Sequence, residues 1–126
     1  MPKTVPNLPG IEPGDYPYSK VVEANGFVFV AGQVGDLPGE RRAAPGGIVP
    51  ETRAMLDNVG RLLRAVGLDF ADVVKATVYL RDFGDFAEFN TVYREYFPTE
   101  PPTRETVGVT ALALDFRVEI EVIAVR

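Results

Sequence analysis

A single arginine, Arg104, follows the proline pair Pro101-Pro102 and opens a β-type run, Thr103-Arg104-Glu105-Thr106-Val107-Gly108-Val109. Fifteen residues further on, Glu119 stands in a second such run, Val118-Glu119-Ile120-Glu121. A guanidinium is permanently charged, and its planar fork grips a carboxylate through two parallel hydrogen bonds. A glutamate in the neighbouring run could take a proton or hold a water. Such a pairing suits a small anionic substrate better than a polymer. Glu119 and Glu121 share a strand face at period two, so spacing alone does not choose between them. It also leaves open a plain ion pair between Arg104 and either acid. Burial would raise the pKa of the chosen glutamate towards neutrality, whereas a nearby Arg104 would lower it.

The remaining chemistry is a short list. The 126 residues include no histidine and no cysteine, and Ser19 is the only serine. Imidazole bases, disulfides, thiolate chemistry and Ser-His arrangements are therefore excluded. No acidic loop of calcium-binding spacing is present, and neither a metal nor a cofactor is expected. The net charge is −5, from 18 acidic and 13 basic residues. Nucleic acid asks for clustered Lys and Arg, and the one adjacent pair, Arg41-Arg42, lies in a Gly/Pro/Ala-rich loop, so nucleic acid is not expected as a partner. No apolar run approaches a membrane span and no secretory leader opens the chain, so a cytoplasmic protein without membrane attachment is expected.

The elements that must position these residues can be read in order. Residues 1–15, with four prolines and two glycines, form an irregular surface leader. Asn25-Gly26 supplies the positive φ angles of a two-residue turn and predicts a hairpin of 19–24 with 27–32. Residues 35–47 form a Gly- and Pro-rich loop. A helix runs from Pro50 or Glu51 to Val66, its dipole complemented by Glu51, with Met55, Leu56, Val59, Leu62, Leu63 and Val66 as its apolar stripe. Residues 73–80 form a strand with Val74, Ala76, Val78 and Leu80 on one face. A second helix over 84–97 aligns Phe86, Phe89 and Tyr93, and strands near 103–110 and 116–125 follow. The chain is thus one α+β domain over residues 1–126, a single mixed sheet of about six strands with two helices on one face. Two helices cover one face only, yet 27–31 and the last strand are apolar on both; a second copy of the chain is the simplest cover, so an oligomer is expected.

The order Tyr18, Phe29-Val30-Ala31-Gly32-Gln33, Val73-Val74-Lys75-Ala76-Thr77-Val78-Tyr79-Leu80, Asp85-Phe86 through Asn90 to Tyr93, Pro102-Thr103-Arg104 and Val118-Glu119-Ile120 resembles the RidA (YjgF-type) family of enamine/imine deaminases over residues 16–126. The sequence departs from the pattern at Glu105, usually a small residue, and at Thr106, where some members have cysteine. The resemblance implies a chorismate-mutase-like fold, a homotrimer with clefts between subunits, and hydrolysis of 2-iminobutanoate- or 2-iminopropanoate-like compounds to 2-oxo acids and ammonia. It implies Arg104 as the carboxylate clamp and favours Glu119 as the group handling water. Tyr18, Gly32, Phe86, Asn90 and Thr106 would line the substrate site, with Thr106 acting through its backbone. Glu105 would point away from Arg104. Rival readings are a non-catalytic metabolite-binding or chaperone-like oligomer, and a related hydrolase of aminoacrylate-type intermediates. For Phe86, an ordinary core role stands beside the site role.

Overall fold

In a computed structural model describing residues 2–126, the hairpin forms where Asn25-Gly26 predicts it. Both turn residues adopt positive φ, 52° and 81°, and join β1 (Val21–Ala24) to β2 (Phe27–Val34). The chain continues through α1 (Ile48–Ala65), β3 (Val73–Leu80), α2 (Phe86–Tyr96), β4 (Thr103–Gly108) and β5 (Val118–Val125). Met1, the first residue of the predicted leader, lies outside the described residues.

The sheet order is β1-β2-β5-β3-β4, antiparallel except for the parallel β3–β4 pair. Among the described residues it has five strands, not about six. The leader joins the sheet's backbone pairing, among the described residues, through a single bridge from Thr4 to Glu23. Prolines 2, 6 and 9 withhold the backbone donors that a sixth ladder would need.

The crossovers through α1 and α2 lay both helices on one face of the sheet. Beneath them Val28, Val30, Ala76, Val78, Leu80, Val118, Ile120, Val122 and Ala124 are buried. The α1 stripe packs onto this layer, with Met55, Leu56 and Leu63 fully buried; each such side chain contributes about 1.5–3 kcal/mol. Val74 departs from its expected inward face and is 40% exposed. The register of β3 against β5 shifts between Val73 and Lys75, and such a bulge turns the extra residue out of the alternation.

No helix of the described residues covers the opposite face of the sheet. Phe27, Phe29 and Val107 are each more than 40% exposed there, alongside Tyr79, Glu119, Glu121 and Ile123. No helix among the described residues is long and apolar enough to cross a membrane.

Candidate functional site

Arg104 lies on the edge strand β4, opposite Ala76 of β3. Residues directly paired in a sheet share a face, so the arginine projects to the helix side. There its guanidinium carbon lies 4.6 Å from the ring centroid of Tyr93, 5.4 Å from Phe89 and 5.7 Å from Phe86, all on α2. Three ring faces at cation–π distance hold the charge without neutralising it. No carboxylate of the described residues forms an ion pair with it. An open groove of about 680 Å³ begins at this guanidinium, bounded by Asn90, Tyr93, Arg94 and the prolines of the α2–β4 loop.

Thr106 follows two residues later on the same face, opposite Val78. Its hydroxyl oxygen is buried and unpartnered, as is that of Tyr93. Burial pushes the Tyr93 phenol upward, partly opposed by Arg104. Arg104, Phe86 and Asn90 thus gather between α2 and β4, with Thr106 further along the same strand face. Glu105 pairs with Thr77 and is exposed on the opposite face, as alternation requires.

Glu119 belongs to a different place. It pairs with Tyr79 and Val34 on the helix-free face. The β4–β5 separation is two strand spacings, about 10 Å. Within one protomer Arg104 therefore does not act on Glu119, since the two side chains leave the sheet on opposite faces. The Glu119 carboxyl is instead pushed up, first by burial and then by the charge of Glu121.

Glu121 is occupied, because the Tyr79 hydroxyl donates to its Oε1 at 2.6 Å. Glu119 receives no such donor among the described residues. A half-buried carboxylate with a raised pKa and free lone pairs is the better base of the two. Gly32 adjoins it; a Cβ there would collide with the Glu119 carboxylate. The glycine makes room for that side chain in its own protomer and lies within the register shift between Val30 and Gln33.

The start of β5 is anchored by Glu51 of α1. Its buried carboxylate accepts the backbone N–H groups of Arg117 at 2.7 Å and Val118 at 3.3 Å, immediately before Glu119. Burial raises its pKa against the pull of those bonds. Sequence reasoning had credited Glu51 only with complementing the helix dipole.

Tyr18 forms a third location. It is exposed, stacks on Tyr16 with centroids 5.3 Å apart, and precedes β1 at the sheet edge remote from β4. Four strand spacings, about 19 Å, separate those edges. Tyr93, Phe89 and Arg94, not singled out for the site from the sequence, adjoin Arg104 or its groove. The aromatics read as core, while Arg94 carries a legible signal: it follows Asn90 by four residues and shares its helix face. No group of three or more Asp or Glu among the described residues could hold a metal ion.

A family model described as Endoribonuclease L-PSP matches residues 12–126. A goat (Capra hircus) protein named 2-iminobutanoate/2-iminopropanoate deaminase is 44% identical over 110 residues, covering 87% of this chain and 80% of that protein. The crystal structure of yeast Mmf1 superposes with a TM-score of 0.85 at 38% identity, over 90% of each chain. E. coli TdcF, solved with bound serine, gives a TM-score of 0.83 at 36% identity, over 90% of this chain and 91% of that one.

Proposed function

The chain belongs to the Endoribonuclease L-PSP family, the RidA (YjgF-type) family that its motifs resemble, and from that membership we propose that it hydrolyses reactive 2-imino acids and their enamine tautomers to 2-oxo acids and ammonia. The type substrates are 2-iminobutanoate and 2-iminopropanoate, the compounds named for the goat relative. One observation carries the reading on this chain. The Arg104 guanidinium is seated on three aromatic rings at the mouth of a groove, with no acid of its own protomer upon it.

In this reading Arg104 binds the substrate carboxylate through both arms of its fork, and Asn90, Phe86 and Thr106 form the adjoining wall. The protonated imine carbon is already electrophilic. Glu119 accepts a proton from water as its oxygen bonds to that carbon, giving a carbinolamine. Glu119 then returns that proton to the amino nitrogen, the C–N bond breaks to release ammonia, and the hydroxyl proton passes to the ammonia as the carbonyl forms. This sequence uses neither metal nor cofactor.

Arg104 and Glu119 leave one protomer's sheet on opposite faces, so the site is complete only where two copies meet. This supports an oligomer; the family resemblance implies a homotrimer with clefts between subunits, and we assign it to the cytoplasm. The uncovered Phe27 and Phe29 support association through the helix-free face, and Tyr18, on the far edge, would enter a neighbour's cleft. RNA cleavage is disfavoured, since a net charge of −5 opposes the multiple phosphate contacts that nucleic acid requires.

The direct test is ammonia release from freshly generated 2-iminobutanoate. Acceleration over the spontaneous reaction is expected. Binding of 2-oxobutanoate without acceleration would recast the protein as a metabolite-binding oligomer. A narrower prediction concerns Gly32→Ala: the new methyl displaces the Glu119 carboxylate, and kcat should fall about 10²-fold, the scale of a misplacement near 1 Å. Thermal denaturation should stay near wild type, because the group that must move is the end of a flexible side chain. An unaltered kcat would remove Glu119 from the reaction.

A further inference from the structure

We propose that the groove beside Arg104 selects 2-imino acids bearing a second carboxylate, and that Arg94 receives this distal group; the inference rests on the deaminase reading of the same site. Arg94 projects from α2 one turn beyond Asn90 and lines the groove that begins at Arg104. It is exposed and forms no ion pair among the described residues. Its sequence neighbour Glu95 is engaged elsewhere, accepting two bonds from Arg53 at 2.8 and 3.0 Å. Among the described residues, neither Asp nor Glu of the same protomer lines the groove.

An arginine in the last turn of a helix complements its dipole, and that accounts for one positive charge. It does not account for a second guanidinium on the wall of the same groove, where the neighbouring copy's Glu119 supplies a single counter-charge. Like charges there repel unless anions lie between them, and a cleft lined by one sign of charge concentrates ions of the other. Pro98, Pro101 and Pro102 supply an apolar, conformationally stiff wall along the same groove, which keeps the field from being dissipated by mobile polar groups. Its volume, about 680 Å³, is several times that of a four-carbon imino monoacid. A substrate with carboxylates at both ends uses this space and satisfies both forks; a monocarboxylate uses only one.

The test compares kcat/KM for 2-iminosuccinate and 2-iminobutanoate, each generated in place by an amino-acid oxidase, for wild type, Arg94→Ala and Arg94→Gln. The wild-type ratio should favour the dicarboxylate, and both variants should lower that ratio about tenfold, the scale of one charge-assisted contact. A ratio that Arg94 does not move overturns the inference and leaves the deaminase reading standing. Failure of wild type to turn over either imine brings down the deaminase reading instead. Calorimetry then decides the inference alone: tighter binding of 2-oxosuccinate than of 2-oxobutanoate, lost in Arg94→Ala, sustains it, and equal affinities overturn it.

Discussion

Replacing Arg104 by alanine is expected to lower kcat/KM for 2-iminobutanoate by about 10³-fold while leaving the fold intact. The substitution removes two charge-assisted hydrogen bonds to the substrate carboxylate, each about 1.5–3 kcal/mol. Each 1.36 kcal/mol corresponds to a factor of ten. Orientation is lost with them, and orientation is most of what an already electrophilic substrate needs. The fold should survive because Arg104 lies on an edge strand and forms no ion pair in its own protomer. Its stem covers the α2 rings, so some loss of melting temperature is expected alongside unchanged circular dichroism. Arg104→Lys keeps the charge but not the fork and should fall between the two. Steady-state kinetics on all three proteins would expose the error if alanine at 104 left the rate near wild type.

Glu119→Gln carries the second large effect, a fall in kcat of about 10²–10³-fold, within the range of a lost general base. The pH dependence fixes the assignment. The wild-type rate should decline as pH falls through the raised pKa of Glu119, and the glutamine variant should lack that limb. Stability should move the other way. A carboxyl with a raised folded pKa contributes stability that is complete below its unfolded value near 4.5 and is lost as pH rises through the folded value. At neutral pH the ionised Glu119, half-buried beside Glu121, is therefore a liability. The variant should melt at a higher temperature than wild type at pH 7, with the advantage shrinking towards pH 4. A variant less stable at pH 7 would contradict this electrostatic account.

Local rules made much of the scaffold legible. Asn25-Gly26 marks the hairpin, the Met55-to-Val66 stripe marks α1, and alternation in residues 118–125 marks the buried face of β5. Each depends on residues close in sequence. Val74 was misassigned because a bulge depends on pairing with β5, far along the chain. The opposed faces of Arg104 and Glu119 were hidden for a similar reason. The face that Arg104 takes is set by the parallel register of β4 on β3, which follows from how α2 crosses over. Tyr79 and Glu121 are likewise separated by 42 residues, so their hydrogen bond, which leaves Glu119 as the freer acid, had no local signature. Glu51 reads locally as a complement to the α1 dipole, yet it is 2% exposed; its burial arises only when β5 docks on α1. Arg94 acquires its groove only once the prolines after α2 fold back beside it.

Complementation between inactive variants tests the shared site most directly. Arg104→Ala and Glu119→Gln, each nearly inactive alone, are unfolded together in equal amounts, refolded, and assayed for ammonia release from 2-iminobutanoate. If one copy supplies the guanidinium and its neighbour the carboxylate, random assembly restores both groups at about a quarter of the interfaces. Activity should return to about that fraction of wild type. A refolded mixture no more active than its parents, at the same oligomeric mass, would contradict a site built between subunits.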